Sequence, residues 1–225
     1  MYKKNAIIYF VKYPTPGKVK TRLARTVGDK KAALLYKELA EKNFLTLKQC
    51  KETELIVFFD PPEDLVNVHW WLAGADQYIP QEGSTLGERL INAFKWAFDN
   101  GFRKVTAVGS DILQMTTTIA DQSFVALKEV DVVIGPAKDG GYYLIGLSSN
   151  RPSLFEGIDW STSKVLSQTY QVINKLKLKY HTLCPLDDLD EIKLARAPSP
   201  WRGAGGSKRR TTHEFINGEL KKRRG

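Results

Sequence analysis

The chain has 225 residues, of which 42% are hydrophobic and 26% charged, a size and composition typical of one globular domain with a full core. The apolar runs are too short to span a membrane, and the first is interrupted by Lys12 and has no cleavage site, so we predict a cytoplasmic protein without a transmembrane segment or signal peptide. The net charge of +9 is uneven: residues 196–225 hold nine Lys or Arg and two Glu, whereas residues 1–195 hold 25 basic and 23 acidic residues. A nearly neutral body disfavours specific nucleic-acid binding, which needs a basic face on the folded domain.

Seven short apolar segments, most of them bounded by turn-forming residues, have the character of β-strands. Their composition indicates that several are buried in a sheet. In chain order, the predicted strands are residues 6–11, 54–59, 77–79, 105–108, 130–134, 142–147 and 179–183.

Five segments between these strands carry apolar residues near helical spacing, and Asp29 is placed to cap the first of them. The alternation of strands with helices predicts a single-domain, three-layer α/β/α fold with a mostly parallel central sheet over residues 1–195. Residues 196–225 are rich in Gly, Pro and charge, and we predict a basic tail that is disordered or divergent. The predicted helices are residues 29–50, 63–73, 86–99, 118–127 and 163–176.

The loop that follows the first strand carries a cluster of cations. Its sequence, KYPTPGKVKTRLA, contains Gly17 followed by Lys18, Lys20 and Arg22. Ligands of α/β sheets bind where strands end, and a glycine with nearby cations suits a phosphate group. Neither the Walker pattern nor the dinucleotide pattern is present. The loop is therefore predicted to bind phosphate by another arrangement, with a solvated basic turn as the alternative.

Asp111 is the acidic residue best placed for metal chemistry. It follows the apolar strand at residues 105–108 after a small Gly109-Ser110 turn, where a carboxylate can hold a hard divalent cation. The alternative is that Asp111 caps the next segment. Asp187, Asp188 and Asp190 follow the last strand and either complete a metal shell or favour a helix start.

Two further segments have residue types suited to a ligand pocket. Asp139-Gly140-Gly141 lies between two strands and precedes two tyrosines, so backbone can approach a ligand and rings can line a sugar pocket. A DGG sequence is equally typical of a hairpin turn. Arg89, in the segment QEGSTLGERL, can reach an anion or can be an ordinary exposed helix arginine.

The cationic loop and the carboxylate are chemically complementary. Lys and Arg bind phosphates, while a metal held by the carboxylate bridges them and offsets the charge of a leaving diphosphate. Together they predict a nucleotide-linked substrate without saying which bond breaks.

The order of these segments resembles a bacterial family of glycosyltransferases with the nucleotide-diphospho-sugar transferase (GT-A) fold, a related branch of which contains guanylyltransferases acting on phospholactate. The resemblance covers the chain from about residue 5 to 195. It departs at Leu113, where the family has Pro, and at the two residues that follow. The matching segments are KYPTPGKVKTRLA at 12–24, QEGSTLGERL at 81–90, VGSDI at 108–112, GPAKDGGYYLIGL at 135–147 and DLD at 188–190.

This resemblance implies an enzyme that uses Mg²⁺ or Mn²⁺ to move a sugar from a nucleotide-diphosphate donor to a small-molecule or lipid acceptor. It implies Asp111 as the metal aspartate, to which we add Asp188, and Asp139 is our candidate for the catalytic base. The alternative is a nucleotidyltransferase that uses a nucleoside triphosphate and releases pyrophosphate; a non-catalytic nucleotide or polyanion binder ranks below both. The residues expected at the substrate are Pro16, Gly17, Lys20, Thr21, Arg22, Gly87, Arg89, Gly140 and Gly141.

Overall fold

The predicted strands form one seven-stranded sheet in a computed structural model that describes residues 5–189. Six α-helices and two short 3₁₀ turns, at Pro62–Asp64 and Pro152–Phe155, connect the strands of this range. The strands are β1 (Asn5–Lys12), β2 (Thr53–Asp60), β3 (Gln77–Pro80), β4 (Val105–Gly109), β5 (Val132–Pro136), β6 (Tyr142–Leu147) and β7 (Tyr180–Thr182). The helices are α1 (Thr21–Val27), α2 (Asp29–Leu47), α3 (Leu65–Trp71), α4 (Leu86–Asp99), α5 (Thr117–Ala126) and α6 (Val165–Lys175).

The strand order is β3-β2-β1-β4-β6-β5-β7, and all strands except β6 run in the same direction. The chain moves outward from β1 through β2 to β3, and then returns to place β4 on the opposite side of β1. This reversal is the topological switch at which open α/β sheets bind ligands beyond the carboxyl ends of their strands. The register brings those ends level, with Lys12 beside Asp60 and Phe10 beside Gly109.

Helices cover both faces of the sheet. Successive side chains of a strand point to opposite faces, so each strand contributes to two core clusters. From β1, Ile7 and Tyr9 join a core cluster with α2, α3 and α5, whereas Ala6 and Ile8 join a second cluster with α4 and α6. The prediction of a three-layer α/β/α fold with a mostly parallel sheet is confirmed.

The segment between β1 and α2 differs from the sequence prediction. A helix, α1, occupies a stretch for which only a loop was expected. The expectation that Asp29 caps the next helix is wrong: Gly28, with φ +83°, is the N-cap and Asp29 is the first residue of α2. Gly28 permits the sharp turn between the helices, and its carbonyl accepts from Ala32 N at 3.0 Å. Asp29 still lies at a helix start, where a negative charge is favourable.

Other element boundaries shift by only a few residues, as is usual at frayed ends. The predicted tail at 196–225 and the acidic residue Asp190 lie outside the described residues. Within residues 5–189, no helix combines the length and apolar character needed to cross a membrane.

Candidate active site

A cavity of about 420 Å³ opens at the carboxyl ends of β1, β2 and β4, at the topological switch of the sheet. Its size is that of a small-molecule site. The walls come from the end of β1, the loop into α1, the ends of β2 and β4, and the start of α4. Its polar lining residues are Lys12, Lys18, Lys20, Thr21, Arg22, Tyr36, Asp60, Gln81, Arg89, Ser110 and Asp111.

An ion pair joins the two sides of this cavity. Lys20 Nζ lies 2.5 Å from Asp111 Oδ2; the lysine side chain is only 8% exposed and the aspartate side chain 35%. Lys20 is the N-cap of α1 and adopts the left-handed conformation, φ +47° and ψ +46°. Non-glycine residues rarely adopt this conformation, and it occurs preferentially at functional sites. The backbone at Lys20 therefore carries strain while its buried ammonium contacts the carboxylate.

Two buried side chains of α2 hold the turn that presents Asp111. Asn43 Nδ2 donates to Ser110 O at 3.2 Å and to Ile112 O at 2.8 Å, the carbonyls on either side of Asp111. The Tyr36 hydroxyl pairs with Ser110 Oγ at 2.8 Å and accepts from Lys12 N at 3.0 Å. The carboxyl ends of β1 and β4 are thus tied to the same helix.

Tyr36 is buried, and its phenol is kept neutral. Burial raises the pKa of Tyr36 to about 12, while the hydrogen bonds from Ser110 and Lys12 oppose the shift. Burial also raises the pKa of Tyr9, whose hydroxyl donates to Ala40 O at 2.8 Å. These phenols act here as neutral hydrogen-bonding groups of the scaffold.

A second charged group lies on the β2 side of the cavity. Arg89 Nη1 is 3.4 Å from Asp60 Oδ2, and Lys12 Nζ is 3.7 Å from the same oxygen. Gln81 Nε2 donates to Val11 O and to Phe58 O, each at 2.9 Å, so its Oε1 is turned to accept from Arg89 Nη1 at 3.1 Å. Backbone carbonyls of β1 and β2 thereby orient the Gln81 amide, which in turn orients Arg89.

The start of α4 explains why Arg89 lies at this position. Thr85 is the N-cap and accepts from Glu88 N at 3.2 Å, and Ser84 N donates to Glu88 Oε2 at 2.7 Å. This reciprocal pattern is a capping box, and it begins the helix directly at the cavity. Hydrogen bonds from Ser84 lower the pKa of Glu88.

Five of the residues predicted from the sequence line the cavity together: Lys20, Thr21, Arg22, Arg89 and Asp111. Pro16 and Gly17 are exposed in the loop leading into α1 and do not line it. Gly17 has φ +77°, as a flexible turn requires.

Gly87 and the DGG segment lie apart from the cavity lining and have structural contacts of their own. A Cβ on Gly87 would lie 2.3 Å from Trp160 Nε1, so this glycine allows the indole to pack on α4. Asp139, Gly140 and Gly141 form the turn of the β5–β6 hairpin, which is the alternative left open above. Asp139 Oδ1 accepts from Gly141 N at 2.9 Å. Substrate contacts by these residues stay predictions.

The backbone around Asp188 pairs with the backbone around Asp111. Ile112 and Asp188 form an antiparallel bridge, Leu189 N donates to Asp111 O at 2.9 Å, and the Asp188 residue is 8% exposed. Among residues 5–189 there is no group of three or more His, Cys, Asp or Glu that could hold a metal ion. Mg²⁺, however, commonly takes one or two carboxylates and completes its shell with substrate phosphates and water. Asp111 lines the cavity and fits such a partial site, whereas Asp188 is not among the lining residues and its part in metal binding stays a prediction.

Sequence reasoning missed several residues that build the cavity. Tyr36, Asn43 and Asp60 were given no role in the predicted site. A polar Asn within the apolar face of α2, and an Asp directly at the end of a buried strand, were the available signals. Ser110 was noticed only as part of a small turn.

Residues 43–162 match DUF2064, a family described as "Uncharacterized protein conserved in bacteria". The chain belongs to this family. It also resembles a crystal structure from Desulfovibrio desulfuricans G20, named a "putative nucleotide-diphospho-sugar transferase", with 36% identity and a TM-score of 0.79 over 84% of this chain and 83% of that one. The resemblance stated from the sequence is thereby confirmed. Among functionally curated proteins, no significant match was found.

More distant structures share the fold alone. The 4-diphosphocytidyl-2C-methyl-D-erythritol synthase of Anaerococcus prevotii has 13% identity and a TM-score of 0.56, covering 97% of this chain and 96% of its own. Glucosyl-3-phosphoglycerate synthase of Mycobacterium tuberculosis, solved with Mn²⁺, UDP and glucosyl-3-phosphoglycerate, has 10% identity and a TM-score of 0.53, covering 83% and 71%. Family and fold together support a transferase of the nucleotide-diphospho-sugar transferase superfamily.

Proposed function

We propose that this protein is a metal-dependent glycosyltransferase that takes a sugar from a nucleotide-diphosphate donor. One observation carries the proposal: cations of the β1–α1 segment and the Asp111 carboxylate line the same cavity, at the topological switch of the sheet. A diphosphate needs cations and hydrogen-bond donors at its oxygens, whereas a divalent ion needs a carboxylate. The cavity offers both within one small-molecule volume.

The residues of the β1–α1 segment bind the donor phosphates in this proposal. Arg22 supplies planar, bidentate contacts, and Lys18 and Lys20 supply point charges. Thr21 adds a hydroxyl from the first residue of α1. On the β2 side, Arg89 is oriented by Gln81 toward the cavity and is available to a further anionic or polar group of the substrate.

In the reaction, an acceptor hydroxyl oxygen forms a bond to the anomeric carbon as the bond from that carbon to the diphosphate oxygen breaks. The electron pair leaves with the nucleoside diphosphate, whose added negative charge is stabilised by Lys20 and Arg22. The acceptor proton passes to a carboxylate base. When bound by Asp111 and Asp188, a divalent ion would add Lewis-acid stabilisation of the leaving diphosphate.

Asp139 is retained as the candidate base. Its carboxylate is exposed on the β5–β6 hairpin and is not among the residues that line the cavity. In this assignment the donor sugar extends from the cavity to the hairpin, so that the attacking hydroxyl lies between the anomeric carbon and the Asp139 carboxylate. Under this assignment, Asp139→Asn lowers turnover by about two to four orders of magnitude, the range of general-base catalysis, and leaves donor affinity unchanged. Equal loss of donor binding would contradict it.

A nucleotidyltransferase is the second candidate, favoured by the number of cations. Lys12, Lys18, Lys20 and Arg22 all line the cavity, enough charge for a nucleoside triphosphate. Here an acceptor phosphate oxygen attacks the α-phosphorus and pyrophosphate leaves. Among proteins with the same fold, one sugar-acid synthetase was solved with CTP.

Product analysis separates the two reactions. The full-length protein is incubated with Mn²⁺ and either nucleotide-diphosphate sugars or nucleoside triphosphates, together with phosphorylated and hydroxylated acceptors, and the nucleotide products are resolved chromatographically. Release of nucleoside diphosphate from the sugar donor supports the glycosyltransferase. Release of pyrophosphate from a triphosphate supports the nucleotidyltransferase. If neither product forms and no nucleotide binds, both proposed activities are excluded.

Thermal shift supplies the binding test. A ligand at about 100 times its dissociation constant stabilises the native state by about 2.7 kcal/mol, which is several degrees for a chain of this size. Asp111→Asn is expected to remove the metal-dependent part of the shift and to retain the fold. Lys95→Gln, on the exposed face of α4 where Lys95 pairs with Asp99, is the control and should shift like the parent. Metal-dependent stabilisation that survives in Asp111→Asn would exclude the metal assignment.

A further inference from the structure

We infer that Lys20 and the divalent ion compete for the Asp111 carboxylate, so that the metal site becomes available only when a nucleotide diphosphate takes over the Lys20 ammonium. This inference rests on the proposed function and adds to it an order of assembly. It assigns the Lys20 ammonium a contact with the Asp111 carboxylate before donor binding and a contact with the diphosphate after it.

The first part of the argument is the ion pair. Lys20 Nζ is 2.5 Å from Asp111 Oδ2, and the lysine side chain is 8% exposed. A buried ammonium is costly unless an anion or hydrogen-bond acceptors satisfy it. A metal that binds this oxygen without bringing a new anion would place a second cation beside the ammonium. In the donor-free protein, therefore, Lys20 opposes metal binding.

The second part is the position of Lys20 in the chain. Its left-handed backbone, at the N-cap of α1, directs a loop side chain back across the cavity to the end of β4. Lys18 and Arg22 flank it in sequence and line the same cavity. A diphosphate bound by these neighbours lies within reach of the same ammonium. Transfer of Lys20 from Asp111 to a phosphate oxygen exchanges one anionic contact for another.

The third part is the carboxylate that remains. After this exchange Asp111 Oδ2 is open to a cation, and the turn that carries it does not need to move, because Asn43 and Leu189 hold the backbone on both sides. Asp188 lies across the bridge from Ile112. The diphosphate thus supplies both the reason for Lys20 to leave and the remaining oxygen ligands of the ion.

The consequence is a positive coupling between metal and nucleotide diphosphate. Each raises the affinity of the other by the same factor, as thermodynamic linkage requires. Part of this coupling would be present in any site where a metal bridges protein and phosphate. The part owed to Lys20 is distinguished by its effect on metal binding in the absence of nucleotide.

The test is a Mn²⁺ titration of the nucleotide-free, full-length protein, followed by the electron paramagnetic resonance signal of free Mn²⁺. Lys20→Gln removes the competing cation and is expected to tighten Mn²⁺ binding by about tenfold or more, the value of a charge-assisted contact. Lys20→Arg keeps the cation and should bind Mn²⁺ as weakly as the parent. Lys18→Gln is the matched control for simple removal of positive charge from the same cavity.

Asp111→Asn in the Lys20→Gln background should abolish the gain. The inference is overturned if Lys20→Gln and Lys18→Gln change Mn²⁺ affinity equally, or if Lys20→Gln leaves it unchanged. It is also overturned if the parent binds Mn²⁺ as tightly without nucleotide as with it. Failure of the proposed function looks different, because the parent then binds neither nucleotide diphosphate nor nucleotide sugar, with or without Mn²⁺.

Discussion

Tyr36 belongs to the core and to the cavity at once. Its ring packs among the residues of α1 and α2, whereas its hydroxyl bonds to Ser110 Oγ and receives Lys12 N. The hydroxyl joins the ends of two strands, β1 and β4, that have no sequence proximity. A single buried side chain thereby links the end of β1 to the turn that follows β4, beyond the last paired residues of the two strands.

Replacing Tyr36 by Phe should destabilise the protein by about 1–3 kcal/mol at neutral pH, because Lys12 N and Ser110 Oγ lose their partner. The difference in the free energy of unfolding between parent and Tyr36→Phe should become smaller at alkaline pH. The folded phenol keeps its proton to about pH 12, because burial raises its pKa, whereas the unfolded phenol loses it near the ordinary pKa of 10.0. Stability owed to this phenol is therefore fully present below pH 10 and is lost as the pH rises toward 12. Urea unfolding of parent and variant at a series of pH values measures this. Parallel curves would contradict it.

Arg22 is the residue whose role as a diphosphate ligand is most easily tested. It is exposed at the start of α1 and lines the cavity, so its removal should leave the fold intact. Arg22→Ala is expected to weaken donor binding by about ten- to hundredfold, and Arg22→Lys should restore only part, since Lys cannot make bidentate contacts. Isothermal titration with a nucleotide diphosphate gives the affinity.

Arg25 provides the matched control for Arg22. It is exposed on the same helix but does not line the cavity, so Arg25→Ala should bind donor like the parent. If Arg22→Ala and Arg25→Ala behave alike, the segment is an ordinary basic turn, which is the alternative that its sequence leaves open.

At the scale of elements, the β5–β6 hairpin is held against the start of α6. Leu166 N donates to Gly140 O at 2.9 Å, and a Cβ on Gly140 would lie 2.3 Å from Ser163 O. Gly140 also has φ +94°, a conformation that other residues rarely adopt. The DGG sequence is therefore explained by a close approach of two backbones, whether or not a substrate also contacts it.

The two glycines of this turn make a matched pair for a stability measurement. Gly140→Ala combines a strained φ with contact to rigid backbone, and we expect a loss of about 2 kcal/mol or more in the free energy of unfolding. At Gly141 the added Cβ would meet only Asp139 Oδ1, at 3.3 Å, and that side chain can turn away. Gly141→Ala should cost less than about 1 kcal/mol. Equal losses in urea denaturation would show that the hairpin does not depend on this approach.

At the scale of the whole molecule, every residue used in the proposals lies between positions 12 and 189, whereas the basic excess lies in residues 196–225. Removing the chain after Ala195 is therefore expected to leave the affinity for nucleotide diphosphate unchanged. Isothermal titration of the full-length and shortened chains measures this. A weaker affinity of the shortened chain, persisting at high salt, would assign the tail a direct part in the site.

Much of the fold follows from the sequence alone. Short apolar runs alternating with helical periodicity determined the strands and helices, because burial on both faces of a sheet requires continuous apolar segments. The loop cations and Asp111 could also be identified, since both directly follow strands, and strand ends in such sheets gather at one edge. Helix α1 was missed, because its sequence TRLARTV is short and has little periodic apolar character.

Only the tertiary structure decided which of these residues meet. The pairing of Lys20 with Asp111 spans 91 positions, and the bonds from Asn43 to the Asp111 turn span 67 and 69. Contacts of that separation depend on strand order and on which face of α2 turns inward, neither of which local propensity specifies. The same holds for Gly87 and Gly140, because an added Cβ at these positions would collide with Trp160 and Ser163, which lie much later in the chain. The sequence by itself determined the secondary-structure elements and the kinds of chemistry available. Packing at the topological switch of the sheet determined which groups share a cavity, because side chains remote in sequence become neighbours only when the strands that carry them lie side by side.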